Sequence, residues 1–329
     1  MTNNLFAGRK VLITGGMGFI GSNLARELVR LEASVVIIDS MFPSYGGNDF
    51  NIKELKGKCK IVIKNMGEQS LINNLVKGQD FIFSLAGQVS HVDSLEKPFW
   101  DLENNCRVQL SLLEACKKYN PKAKIVFAGT RGQYGKYMYL PVDENHPMKP
   151  IDINGINKTA AESYYLLYHR NYGLRTVSLR LTNTYGPRMQ MRNNAQGFLN
   201  LFIRSAMDGK DIEIFGKGAQ IRDFNYIDDV TSAFLISAAN KDSDGQSFNL
   251  GSDMPISIID VAKLVIELCG RGRIKHVPFP EEYKMTEVGN YISNNTKIKK
   301  ILGWKPRVPL RKGLGNTIDY YKKYKEHYW

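Results

Sequence analysis

The chain has 329 residues, 43% of them apolar, and a formal net charge of +13, which suits one large or two modest globular domains. No run approaches the ~18 apolar residues of a membrane-spanning helix, and residues 1–10 lack the plan of a secretory signal, so a cytoplasmic protein without a membrane partner is expected. Fourteen Lys or Arg against five Asp or Glu from Gly270 to Trp329 concentrate the charge, but no helix-turn-helix, zinc or single-strand-binding signature accompanies it, so nucleic acid is not the expected partner.

In chain order, Lys10–Ile13 has the short apolar run of a buried parallel strand. Gly15, Gly18 and Gly21 follow at three-residue spacing, and Ser22–Val29 has a helical apolar pattern. Strand, glycine turn and helix together form a dinucleotide site, because bare backbone lets N–H groups and a helix N-terminus approach a pyrophosphate. A second strand, Ser34–Ile38, leads into Asp39, where a carboxylate can accept from ribose hydroxyls and repel a 2′-phosphate; NAD is expected rather than NADP. A third strand is expected over Lys60–Ile63, with Asn65 and Met66 either bordering the adenine or forming a plain turn. Further strands are expected at Phe81–Leu85, Lys124–Ala128 and Thr176–Leu181, and helices at Leu102–Lys118 and Asn157–Arg170. The four cysteines, Cys59, Cys106, Cys116 and Cys269, lack metal-ligand spacing and are expected as free thiols.

Beyond Arg180 the pattern changes to a loop at Asn183–Arg188, a helix from Gly197 to Gly209 and a basic, glycine-rich stretch at Phe215–Phe224. The expected fold is α/β, a Rossmann-type doubly wound parallel sheet with a smaller interleaved α/β lobe. Residues 1–182 and 223–252 are assigned to the dinucleotide domain, and 183–222 and 253–329 to the substrate lobe. Substrate is expected in the crevice outside the carboxyl ends of the strands.

These motifs, with Leu85-Ala-Gly-Gln88, Thr130, Tyr134-Gly135, Lys158, Arg180–Arg188, Arg222–Asp229, Asn249-Leu-Gly251 and Leu302–Pro306, resemble the extended short-chain dehydrogenase/reductase family over essentially the whole chain. Within it the resemblance is to the nucleotide-sugar epimerases and dehydratases. It implies NAD held by Gly15, Gly18, Phe19, Ile20, Gly21, Asp39, Ser40, Asn65, Met66, Leu85, Ala86, Gly87, Gln88 and Lys158. It also implies a nucleotide-linked sugar (GDP-, UDP-, CDP- or dTDP-) oxidised at C4, a role in surface-polysaccharide sugar biosynthesis, and a homodimer or homotetramer. Asn183, Arg188 and Arg222 are the implied diphosphate anchors, with Lys217 or Lys284 assisting; an ion pair of Arg222 with Asp228 or Asp229 is the alternative.

Two departures stand out. The family pattern calls for a hydroxyl residue, matched by Thr130, a base Tyr, and a Lys four residues later, matched by Lys158; Asn154 occupies the Tyr position, and an amide is no useful base. Replacement bases are Tyr134, Tyr137, Tyr139, His91, a water ordered by Asn154, or Lys158 itself. Secondly, Thr130 is followed by Arg131-Gly132 rather than the Asp-Glu pair of sugar 4,6-dehydratases, which makes elimination of water a lesser reading and leaves Arg131 to contact phosphate, a sugar hydroxyl or solvent. The expectation is an NAD-dependent 4-dehydrogenase or 4-epimerase of a nucleotide-linked hexose or heptose. The alternative is a nucleotide-sugar or NADH-binding protein that has lost catalysis.

Overall fold

The computed structural model describes residues 5–42, 45–193 and 197–329. Its centre is a seven-stranded parallel sheet built from β1 (Lys10–Thr14), β2 (Ser34–Asp39), β3 (Lys60–Ile63), β4 (Phe81–Ser84), β5 (Lys124–Thr130), β6 (Arg175–Leu181) and β11 (Gln246–Leu250). The order across the sheet is β11-β6-β5-β4-β1-β2-β3. Both faces are covered, so the strands are apolar in continuous runs: Val11, Leu12 and Ile13 are fully buried, as are Ile125, Val126 and Phe127. Chain direction across the sheet reverses between β1, which pairs with β2 in register Lys10↔Ser34, and β4, which pairs with β1 in register Val11↔Phe81. The crevice that opens at such a reversal is where ligands of open parallel sheets bind.

The six expected strands are present within two residues of their expected bounds. The expected helix Leu102–Lys118 is interrupted: a five-residue π turn, Glu103–Arg107, separates Pro98–Leu102 from Val108–Tyr119. The next helix is longer than its apolar pattern and runs Ile153–Tyr172, because Asp152 caps it, its Oδ1 accepting from Gly155 N at 2.7 Å. Gly173, left-handed at φ 68°, ends it.

A second apolar cluster gathers the helices Leu199–Met207, Ile258–Cys269 and Leu310–Tyr324 around β8 (Asp211–Phe215), which pairs in parallel with β13 (Arg273–Val277). Two small ladders join the clusters: β7 (Asn183–Tyr185) with β10 (Phe224–Tyr226), and β9 (Ile221–Arg222) with β12 (Ile256–Ser257). The C-terminal segment serves both clusters. Ile298, Leu302 and Trp304 are buried with the sheet, where the indole Nε1 donates to Asp229 O at 3.0 Å, whereas Leu314, Ile318 and Tyr321 are buried in the second cluster. Among the described residues no helix is long and apolar enough to cross a membrane.

Candidate active site

A cleft of about 1270 Å³ runs from the sheet reversal to the second cluster. Its floor is the glycine turn after β1. A Cβ at Gly21 would lie 2.2 Å from Gly15 O, and one at Gly15, whose φ is +70°, would lie 2.9 Å from the Ala86 backbone, so only bare backbone permits this approach of helix, turn and β4. Thr14 holds the two turns together by accepting from Leu85 N and Ala86 N, each at 3.1 Å. Asp39 ends β2 at the cleft wall, its carboxylate accepting from Met17 N and Met41 N at 2.9 Å; burial raises its pKa against these donors. Gly15, Gly18, Phe19, Ile20, Gly21, Ser40, Asn65, Met66, Leu85, Ala86, Gly87 and Gln88 all line the same cleft. A helix N-terminus, bare turns and a strand-end carboxylate on one wall are the donor and acceptor set that fits a dinucleotide.

Deeper in the cleft stand Thr130, Asn154, Lys158 and His91. Thr130 closes β5 and caps the turn Arg131–Tyr134, accepting from Gly132 N at 3.1 Å through Oγ1. Asn154 turns its amide inward, donating to Gln88 O at 2.9 Å and to Asp101 Oδ2 at 3.2 Å. Asp101 is fully buried and also accepts from Asn105 at 3.0 Å and Asn157 at 2.8 Å. Three amides thus satisfy one carboxylate, and a buried anion needs such donors. Lys158 donates to Ala128 O at 3.3 Å; burial brings its pKa down to about 8 despite the opposing pull of Asp101.

Of the candidate bases, His91 lines the cleft and has a buried carboxylate to orient it. Its Nδ1 donates to Asp152 Oδ2 at 2.7 Å, which leaves Nε2 as the acceptor. Burial would raise Asp152, but the His91 hydrogen bond and charge hold it below the usual carboxylate range. The ring packs on Gly132, where an added Cβ would lie 3.1 Å from His91 Cε1, so glycine two residues after Thr130 makes room for the imidazole.

At the far end, Arg222 is buried and its Nη2 meets Glu287 Oε1 at 2.7 Å, with further donation to Gly289 O. The alternative partners do not apply: Asp229 instead accepts from Arg307 N and Val308 N, both at 3.0 Å. Arg131 lies over the ring of Tyr291 at 5.2 Å. Asn183 lines the cleft while donating to Asp223 O at 3.1 Å.

The model of the NAD-dependent epimerase/dehydratase family matches residues 11–251. The chain belongs to this family. It is an NAD-dependent enzyme of the extended short-chain dehydrogenase/reductase type, and its relatives include nucleotide-sugar epimerases, dehydratases and decarboxylases. A UDP-N-acetyl-alpha-D-glucosaminuronate decarboxylase of Bacillus cytotoxicus is 32% identical over 323 residues, covering 96% of this chain and 98% of the relative. The solved UDP-glucose 4-epimerase of Thermotoga maritima, with UDP-glucose, is 30% identical with a TM-score of 0.88, covering 96% of this chain and 99% of that one. The UDP-glucuronic acid 4-epimerase of Bacillus cereus, in complex with UDP-glucuronic acid and NAD, is 27% identical with a TM-score of 0.86 and covers 96% and 99%.

Several site expectations are corrected by the geometry. Tyr134 is buried behind the cleft, its hydroxyl donating to Asn249 Oδ1 at 2.6 Å and accepting from Arg180 Nη1 at 2.5 Å; burial raises its pKa, so it is no base for this family member. Tyr137 and Tyr139 are solvent-exposed outside the cleft, the latter donating to Asp143 Oδ1 at 2.7 Å. Arg188 is committed elsewhere: it donates to Asn23 Oδ1 at 2.8 Å and lies over Tyr320 at 5.3 Å, tying the first helix to the C-terminal one. Lys217 is exposed in the turn after β8, and Lys284 pairs with Glu281 beside a shallower depression, so neither lines the cleft. Asp152, Asp101, Glu287 and Tyr291 were not anticipated. Asp152 carried one signal, its N-cap position before the helix.

Proposed function

We propose that this enzyme oxidises C4 of a nucleotide-linked hexose or heptose, as a 4-dehydrogenase or as the first half of a 4-epimerisation, with His91 accepting the hydroxyl proton. The observation that carries this reading is His91, which lines the cleft with Thr130 and is held from behind by buried Asp152. NAD, when bound, supplies the hydride acceptor. Thr130 Oγ1 takes a hydrogen bond from Gly132 N and has its own proton free among the described residues, so it can donate to the sugar oxygen. His91 Nε2 removes the hydroxyl proton, and Asp152 holds the imidazole in that tautomer and steadies its charge. Lys158, cationic below about pH 8, holds positive charge near the cofactor turn, where a Cβ at Gly87 would lie 3.0 Å from its Nζ. Asn154 serves the Asp101 network rather than the proton. Positions 131 and 132 offer a guanidinium and bare backbone, so no carboxylate pair follows Thr130 to eliminate water.

Within this proposal, residues 183–222 and 253–329 supply most of the nucleotide-sugar lobe, with Arg222 and Asn183 toward the diphosphate. The named relatives act on UDP-linked sugars, which makes UDP the first nucleotide to test. The experiment is label transfer. NAD-bound enzyme is quenched during turnover of nucleotide sugars deuterated at C4, and the released cofactor is weighed. Deuterium on the nicotinamide supports the reading; cofactor left unlabelled across the panel contradicts it.

A further inference from the structure

Asp101 is a carboxylate that the proton path leaves unused. It is fully buried, and its side chain meets the amides of Asn105, Asn154 and Asn157 with no cation in contact among the described residues. Every one of these contacts donates to it, the pattern that an ionised, acceptor-only carboxylate requires.

The same carboxylate decides which way two of the amides face, because a side-chain amide has one donor end and one acceptor end. Asn105 Nδ2 is held at Asp101 Oδ2, which leaves its Oδ1 to accept from Gln88 N at 3.1 Å, while Nδ2 also donates to Gln88 O at 3.0 Å. Asn154, held at the same oxygen, donates to Gln88 O at 2.9 Å. Both main-chain polar groups of Gln88 are thus tied to Asp101 through one intervening amide. Asn105 stands in the π turn Glu103–Arg107, a widening of the helix of the kind that recurs at functional sites. A Cβ at Gly87 would lie 2.5 Å from Asn105 Oδ1 and 3.0 Å from Lys158 Nζ, so bare backbone lets the cofactor turn rest on both groups.

Charge follows position. Asn154 lines the cleft, so Asp101 stands one side chain behind the cleft wall. Asn154 and Lys158 are one helical turn apart in Ile153–Tyr172, which sets the anion and the ammonium against the same stretch of the cleft. An oxidised nicotinamide ring is positively charged and a reduced one is neutral. A buried anion at this end therefore favours the oxidised form, and the Lys158 cation opposes it.

We infer that Asp101 is a positioning residue for the cofactor: it fixes the turn Leu85–Gln88 through Asn105 and Asn154, and its buried charge favours NAD over NADH there. This rests on the cofactor turn of the reading above, and not on the sugar or its oxidation. The bias keeps the enzyme in its hydride-accepting state between turnovers.

Asp101→Asn keeps the shape of the side chain and removes its charge. Wild type and variant are equilibrated with mixed NAD and NADH without sugar, freed of unbound cofactor and denatured, and the two released forms are quantified. The bound NAD-to-NADH ratio should fall ~10-fold or more in the variant, as expected when a full charge leaves a buried site. The same substitution in a Lys158→Met background, where no buried cation is stranded, is the second variant and should lower the ratio in the same direction. An unchanged ratio in a folded variant that binds both forms overturns the inference. Equal loss of both forms overturns it too, because a distorted turn alone does not discriminate between them. With no sugar present, failure of C4 label transfer would sink the reaction and leave this result standing.

Discussion

Lys158→Met should stabilise the folded protein while abolishing its chemistry. Lys158 is 6% exposed as a residue, and the hydrogen-bond partner of its ammonium is Ala128 O at 3.3 Å. Burial lowers its pKa from 10.5 to about 8, with Asp101 opposing. At 1.36 kcal/mol per pH unit that fall corresponds to about 3 kcal/mol of folding free energy lost at neutral pH. Loss of the hydrogen bond returns ~1 kcal/mol of this, so Met should gain roughly 2 kcal/mol, an increase of a few degrees in Tm. The sign follows from proton counting. Between the folded value near 8 and the unfolded 10.5 the unfolded chain binds more protons, so wild-type stability rises with pH across that window and the advantage of Met shrinks. Calorimetry of wild type and variant without added sugar, from about pH 7 to pH 10, reads this directly. A lower Tm for the variant near neutrality, or a difference that does not change with pH, would refute an unfavourable buried charge at Lys158. The same variant should lose sugar-dependent NADH formation, since stability is often sacrificed at sites that carry function.

Asp39→Ala should weaken NAD and relax rejection of NADP, because the ribose acceptor and its repulsion of a 2′-phosphate disappear together; unchanged selectivity in a calorimetric titration would contradict this. Asn154→Tyr should not restore a family-type base. It removes one donor from buried Asp101 and should cost ~1–3 kcal/mol in chemical denaturation, and a faster enzyme of undiminished stability would show the Asp101 network to be unimportant.

The sheet was readable because parallel strands buried on both faces are continuous apolar runs. The strands β11, β8 and β13 were not, for physical reasons. Arg273–Val277 has Arg, Lys and His at three of its five positions and is only partly buried, so its strand state comes from its partner Asp211–Phe215. Gln246–Leu250 opens on two polar residues and is a strand because it adds to the edge of Arg175–Leu181. The cofactor cradle was readable for the opposite reason, since its glycines, strand and helix are local in sequence. The His91–Asp152 pair spans 61 residues and exists only once the sheet brings the two together. In sequence Asn154 reads as the loss of a base, because Asp101, the carboxylate it serves, lies 53 residues away in Pro98–Leu102. The nearness of Tyr134 to Thr130 in sequence says nothing of direction. The short turn Arg131–Tyr134 points its hydroxyl at Arg180, away from the cleft.

The most direct measurement is single-turnover absorbance in the reduced-nicotinamide band, with NAD-bound wild type, His91→Ala and Asn154→Ala mixed with the nucleotide sugar that gives label transfer. Removal of His91 should slow NADH formation by ~10²–10⁴-fold with NAD still bound, whereas Asn154→Ala should keep a measurable fraction of the rate. An undiminished rate in His91→Ala, with Asn154→Ala inactive, would put the proton path through Asn154 and contradict the assignment of the base.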